Sequence, residues 1–515
     1  MFNYGIDPLD TGKALAILRG DLKAQISEQV RQKIEASHKI VLETSKGNQA
    51  VYGINTGFGP LCDTIISKEN TSELQRKLLL SHSVGVGDPI DPELAKLMLI
   101  LKVHSLSKGY SGISMEVLDR ILWHIDQDII PVVPEQGSVG ASGDLAPLAH
   151  LFLPLIGEGE VFVDGKITDT SSVLASKGLK PIELHPKAGL ALINGTQFIL
   201  AHAVRAVDQL HNCLAHADII GSLMIEGLMG SQMPFHAELH KTRPHKGNTH
   251  VAARLRTFLE DSEIGKSHEF CGKVQDPYSL RCMPQVHGSS RAAWLHLKES
   301  VETELNSVTD NPVIIDENLI ISGGSFHGQP LALPLDYACL AAAELGSISD
   351  RRTYLSLEGK YAGTPRLLME DTGLNSGFMI LQYTAAALVS ENKGLCFPSS
   401  ADSIPTSLGQ EDHVSMGSIG GRKTLRVIKN LERILAIELL CAAQAFDFRK
   451  PLRSSRFLDR VHDLIRQRIA FAQEDRIFSN DVKRAHQILE DRSLLELSSS
   501  FHSSFSDFDN LFEAF

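Results

Sequence analysis

Apolar positions recur at three- and four-residue spacing along most of this chain, the period of a helix with one buried face. Charged and apolar residues take turns through 19–43 with no strong breaker before Gly47, which predicts one long helix there. Residues 91–104 continue the trend, and Asp91-Pro92 reads as a helix start. A third amphipathic stretch covers 113–130. Farther on, Val207, Leu210, Leu214 and Ala217 share one face of 203–222, and Leu295, Leu297, Val301 and Leu305 form a less regular set in 289–306. Leu425, Ile428, Leu431, Leu435 and Leu439 keep helical spacing across 421–445, long enough to predict a deep helical bundle. The run 331–347 is apolar on nearly all sides, so burial is expected for it, in the interior or between subunits.

Strand signals are short. VFVDGKI at 161–167 predicts a hairpin around Asp164-Gly165, and NPVIIDENLIIS at 311–322 predicts a second. No succession of strand and helix repeats appears, so a doubly wound sheet is excluded and the chain reads as mainly α. The Ser- and Phe-rich tail from Ser493 reads as a loose surface segment or a short docking arm.

Composition narrows the class. The chain has 515 residues, 43% hydrophobic and 22% charged, as an ordinary globular protein has. A formal net charge of −12 disfavours nucleic acid as a partner. Seven cysteines without a Cys-x-x-Cys pair suit a reduced cytoplasmic protein rather than a disulfide scaffold. MFNYGIDPLD does not resemble a secretory signal, and charge, Pro or Gly interrupts the apolar stretches, so neither export nor a membrane is expected.

The richest chemistry lies in GSVGASGDLAPLAH, residues 137–150. A phosphate-binding loop would need a Gly-Lys-Ser/Thr ending, and no lysine is present. A hydrolase elbow would need glycine where Asp144 stands. A dinucleotide loop should follow a strand, but PVVPEQ at 131–136 carries two prolines. Two readings remain. One is a tight turn with Asp144 capping the next helix. The other is a backbone cyclisation, in which the Gly143 amide nitrogen attacks the Ala141 carbonyl carbon. Loss of water from that ring and from Ser142 leaves an exocyclic alkene on an imidazolone, a strong electrophile. Small residues at 141 and 143 permit the compression this needs.

GSVGASGDLAPLAH resembles the signature of the aromatic amino acid ammonia-lyases, the family of histidine, phenylalanine and tyrosine ammonia-lyases. YGINTGFG at 52–59, SHSVGVG at 81–87, LINGTQ at 192–197, VQDPYSLRC at 274–282, GLNSGFM at 373–379 and QEDHVSM at 410–416 resemble further family blocks in family order. The resemblance implies a methylidene-imidazolone ring built from Ala141, Ser142 and Gly143, with no external cofactor and no metal. It implies an elongated helical bundle, residues 203–515, with a smaller mixed N-terminal domain, residues 1–202, carrying the ring. It also implies a homotetramer whose active sites collect residues from three subunits.

Roles follow by the same resemblance. Tyr52 is the base for the β-proton, and Tyr278 assists ring positioning or proton traffic. Arg281 grips the substrate carboxylate with its planar fork, joined by Gln275. Asn194 hydrogen-bonds the ring or the carboxylate, and Phe326 packs against the ring. His82 meets the polar end of the substrate ring, where phenylalanine enzymes tend to be apolar. Glu411 matches a glutamate that faces the imidazole or amino group of histidine. The implied reaction is non-oxidative elimination of ammonia from L-histidine to trans-urocanate, the first step of histidine degradation. Tyrosine ammonia-lyase or an aminomutase is the related alternative, and a non-enzymatic helical assembly protein the unrelated one.

Two features pull elsewhere. His236 and His240 are four apart in FHAELH, but the stretch lacks the His-Glu-x-x-His pattern of a zinc site. Ala188, Ser325, Gln329 and Phe397 depart from the residues usual in the family, and the last three are expected near the substrate.

Overall fold

Long amphipathic segments fold as the spacing predicts because each can bury its apolar stripe only against another. The computed structural model describes residues 1–515 except Asn48, Cys62, Asp63, Ile65, Lys68, Glu69, Phe270, Cys271, Lys273 and Ala362. Cys62 and Cys271 thus lie outside the described residues, and the other five cysteines are free thiols. The chain is mainly α, 60% helical against 7% strand, with most of its small sheets in the N-terminal part.

The helices Gln197–Gly227, Met283–Leu305, Gln329–Leu357 and Gly417–Asp447 pack against one another as the bundle. The first and last are 31 residues each, so each runs about 46 Å. Asp91 caps the helix Pro92–Leu106, its carboxylate accepting from the Glu93 N–H at 2.9 Å. The stretch 113–130 gives the helix Met115–Asp126 and then the short strand Ile130–Pro131.

Residues 19–43 are not one helix. Thr11–Arg19 ends at Gly20 with φ +83, and a new helix, Glu28–Thr44, starts on the Ser27 cap. Glycine at that left-handed position satisfies the terminal carbonyls and breaks the run. The Gln329–Leu357 helix is buried on one side only, for Leu333 (57% exposed) and Tyr337 (48%) lie open in the single chain. By length and composition it could cross a membrane, yet 67% of its most apolar window is buried in this chain, as in a core helix.

Both hairpins are present. Glu160–Val163 pairs with Lys166–Asp169 through Asp164 and Gly165, both at positive φ, and Val313–Asp316 pairs with Leu319–Ile321. PVVPEQ divides into two short pairings, Ile130–Pro131 with Glu160–Val163 and Pro134–Gln136 with Val86–Pro89. The tail is a docked arm. It forms the helices Ser493–Phe501 and Asp509–Phe512, and Phe512 is 1% exposed. Glu513 accepts from Arg254 Nη1 at 2.6 Å and pairs with His250 Nε2 at 2.7 Å. Arg254 Nε also donates to the buried Asp218 at 2.8 Å, tying the arm into the bundle core.

Candidate functional site

The glycine-rich loop before the helix Leu145–Phe152 is held in a conformation that side chains would forbid. Gly143 has φ +76, and a Cβ there would lie 2.1 Å from the Gly195 carbonyl oxygen. The backbone doubles back so that Ala141 pairs with Gly143, and Gly143 pairs with Gly195. The Asp144 N–H donates to the Gly195 carbonyl at 2.8 Å. These are the small residues and folded-back geometry that closure of an Ala-Ser-Gly ring needs, so the loop fits such a group.

Asp144 occupies the cap position of Leu145–Phe152 but makes no side-chain bond to that helix. Its buried carboxylate instead accepts from Ser138 Oγ at 3.0 Å and the Ile199 N–H at 3.0 Å, stapling the loop to the Gln197–Gly227 helix. Burial pushes its pKa up to about 7, with those hydrogen bonds acting against the rise.

Over this loop lies a cavity of about 550 Å³ lined by Tyr52, Ala141, Ser142, Asn194, Phe326 and Glu411 among others. A second cavity shares Tyr52, Ser142, Asn194 and Glu411 and adds His82. The elements that supply these side chains are far apart in sequence. Tyr52 comes from the loop after Glu28–Thr44, His82 ends Thr71–His82, and Asn194 ends Ala188–Ile193. Phe326 and Glu411 come from the segments leading into Gln329–Leu357 and Gly417–Asp447.

Glu411 is held at both carboxylate oxygens. Oε1 accepts from Ser142 Oγ at 2.8 Å, while Oε2 accepts from Thr406 Oγ1 at 2.8 Å and Ser407 Oγ at 3.1 Å. The Tyr52 hydroxyl accepts from the Gly59 N–H at 3.4 Å. Asn194 Nδ2 donates to the Asn311 carbonyl at 2.8 Å. His82 Nδ1 lies 3.0 Å from Ser81 Oγ. Burial lowers the His82 pKa, while a backbone hydrogen bond at Leu78 and the Glu411 charge act the other way.

Three expected residues lie elsewhere. Gln275, Tyr278 and Arg281 line neither cavity, and among the described residues no arginine lines either one. They form their own cluster, in which Arg281 Nη2 donates to Gln275 Oε1 at 3.0 Å and the guanidinium sits 4.6 Å from the Tyr278 ring centre. Tyr278 is 71% exposed. Ser325, Gln329 and Phe397, expected near the substrate, line neither cavity, and Ala188 is buried at the start of its own short helix. His236 accepts from the Glu238 N–H and His240 bonds the Pro234 carbonyl, and no cluster that could hold a metal occurs among the described residues.

The structure adds lining residues that the sequence reading did not single out. Asn311, His327 and His413 line the first cavity, and the two histidine rings stack in parallel, 6.0 Å apart. His413 lies in QEDHVSM beside Glu411, so its place was open to reading, whereas Asn311 and His327 carried no local signal.

The sequence pattern of the family described as aromatic amino acid lyase matches residues 9–467. The chain is 46% identical over 481 residues to the histidine ammonia-lyase of Desulfotalea psychrophila, covering 92% of this chain and 94% of that one. Among solved structures it resembles the histidine ammonia-lyase from Trypanosoma cruzi at 39% identity and a TM-score of 0.91, covering 99% of this chain and 97% of that one. Tyrosine aminomutase from Streptomyces globisporus matches at 32% identity and a TM-score of 0.91, covering 98% and 100%. The chain belongs to the aromatic amino acid lyase family and is a carbon–nitrogen lyase acting on an aromatic amino acid.

Proposed function

We propose that the protein eliminates ammonia from L-histidine to give trans-urocanate, using an electrophilic ring closed from Ala141, Ser142 and Gly143. The observation that carries this reading is the Glu411 carboxylate, aimed at Ser142 from 2.8 Å in a site that also holds His82. A carboxylate can accept an imidazole N–H, whereas a phenyl ring offers it nothing to bind. The relative at 46% identity carries the name histidine ammonia-lyase, whereas the tyrosine aminomutase stands at 32%.

Once closed, the ring supplies an electrophilic alkene at the position of Ser142. Dehydration of Ser142, the second of the two losses of water, would remove its hydroxyl, so Glu411 Oε1 would give up that donor and could take one from the substrate. Thr406 and Ser407 keep the other oxygen in place. Tyr52 takes the β-proton, with the Gly59 N–H stabilising the phenolic oxygen. His82, kept neutral by burial at ordinary pH, meets the polar end of the imidazole. Asn194 and Phe326 border the loop and shape the space above it.

The substrate carboxylate needs Arg281, which a second subunit would bring together with Gln275 and Tyr278. Their ready-made cluster outside this chain's own cavity supports a homotetramer with shared sites. So does the open apolar face of Leu333, Tyr337, Leu340, Ile380 and Tyr383.

The test is incubation with histidine, tyrosine and phenylalanine, read by ultraviolet absorbance of the enoate products. Urocanate should form fastest, and Glu411→Gln should cut histidine turnover by about 10- to 100-fold, as loss of a charged hydrogen bond does. Faster coumarate than urocanate refutes the histidine assignment, and an unchanged Glu411→Gln variant removes the role given to Glu411.

A further inference from the structure

Lys102 is a lysine in the wrong place for solubility. It lies on the helix Pro92–Leu106 and is only 2% exposed. An ammonium is costly to bury, and an apolar residue would serve core packing better at this position. What the lysine does is specific. Its Nζ donates to the Asn194 carbonyl oxygen and reaches Gln197 Oε1 at 3.4 Å. Gln197 Nε2 in turn donates to Thr309 Oγ1 at 3.1 Å.

The Asn194–Gly195 peptide is thereby gripped from several sides. The Asn194 side chain is tied to the Asn311 carbonyl at 2.8 Å, and its main-chain carbonyl is tied to Lys102. Gly195 has φ +121, and a Cβ on it would lie 2.5 Å from Gln197 Oε1 and 2.7 Å from Thr309 Oγ1. Its own carbonyl receives the Asp144 N–H at 2.8 Å and sits where a side chain on Gly143 would have to go. The path from Lys102 to the tripeptide therefore runs through one residue, Gly195, whose two flanking peptides carry the two hydrogen bonds.

Burial pulls the Lys102 pKa down to about 7, with Lys187 adding to the fall and the Asp310 and Asp144 charges acting against it. Charged or neutral, the amine keeps an N–H to donate. Lys187 is occupied elsewhere, donating to Asp310 Oδ2 at 2.5 Å and to the Ser111 carbonyl at 3.0 Å. Lys102 is thus the buried amine donor committed to the Asn194 carbonyl.

We propose that Lys102 is a positioning residue for the ring. It fixes the Asn194–Gly195 peptide, and through it Gly195, whose carbonyl holds Ala141, Ser142 and Gly143 in the compressed shape from which cyclisation proceeds. The inference rests on the ring reading given above, and wild-type protein serves as its control.

The experiment compares wild type with Lys102→Met, Lys102→Gln and Lys102→Arg after a fixed maturation time. Intact mass reads the loss of two waters per chain, far-ultraviolet circular dichroism reads the fold, and kcat and KM are measured for histidine. Lys102→Met should fold yet show about ten-fold less ring, with kcat falling in proportion and KM unchanged, as expected for ~1.4 kcal/mol of lost positioning. Lys102→Arg should recover ring content to within about two-fold, because it restores a long-chain N–H donor. Should Lys102→Met yield no folded chain, folded Lys102→Gln carries the test and should mature more slowly than wild type. Full ring content and wild-type kcat in folded Lys102→Met or Lys102→Gln overturn the proposal. So does a folded Lys102→Arg as poor in ring as Lys102→Met. Wild type that loses no water would instead overturn the ring reading itself.

Discussion

Gly143→Ala puts the folded-back loop under a direct test. The added Cβ would sit 2.1 Å from the Gly195 oxygen, 2.4 Å from its carbon and 2.8 Å from its nitrogen. All three are backbone atoms, so no side chain can swing aside. Retreat to a tolerable contact requires a shift of about 1 Å in a closely packed interior. The shift pulls against the 2.8 Å hydrogen bond from the Asp144 N–H and the two bonds to the Asp144 carboxylate. Alanine at φ +76 adds backbone strain of about 1–2 kcal/mol. A displacement of about 1 Å from near-attack geometry costs roughly 100-fold in rate. The variant should therefore fold with a lowered melting temperature, lose its two waters at least about 100-fold more slowly and show matching loss of histidine turnover. Intact mass against maturation time and an ultraviolet turnover assay measure both. An alanine variant that loses both waters at the wild-type rate would refute the steric argument.

Two further outcomes follow from the same geometry. Tyr52→Phe should keep its ring by mass and lose kcat by about 10²–10⁴, with KM within about threefold, because a proton acceptor is removed while the site's shape is kept. A kcat within tenfold of wild type would take the base role away from Tyr52. His104, His124, His202, His211 and His216 are each pushed down to about 4, mainly by burial. The unfolded chain binds protons there from about pH 6.5 downward while the folded chain does not, so stability is present above that pH and lost as pH falls toward 4. Asp144, raised to about 7, and Glu226, Glu304 and His486, also raised, work in the opposite direction, but the histidines lowered by burial outnumber them. Urea midpoints should therefore fall between about pH 7.5 and about pH 5, and a rise on acidification would sink this account.

Much of the chain could be read locally. The helices Pro92–Leu106, Gln197–Gly227, Met283–Leu305 and Gly417–Asp447 follow from apolar spacing, and the Asp164-Gly165 hairpin from its turn residues. These signals need only neighbours three or four residues away, or two residues willing to take positive φ. The tripeptide and its small flanking residues were equally legible, and so was the glutamate in QEDHVSM. Tertiary structure alone decided the rest. It split the 19–43 stretch at Gly20, moved Asp144 from a cap to a staple, and docked the tail through Glu513, Arg254 and His250. It also brought Glu411 onto Ser142 across 269 residues and kept Arg281 with Gln275, outside the cavity. The physical reason is that such contacts depend on how whole helices stack. A residue's own spacing states which face is buried, but not which distant loop that packing delivers to it.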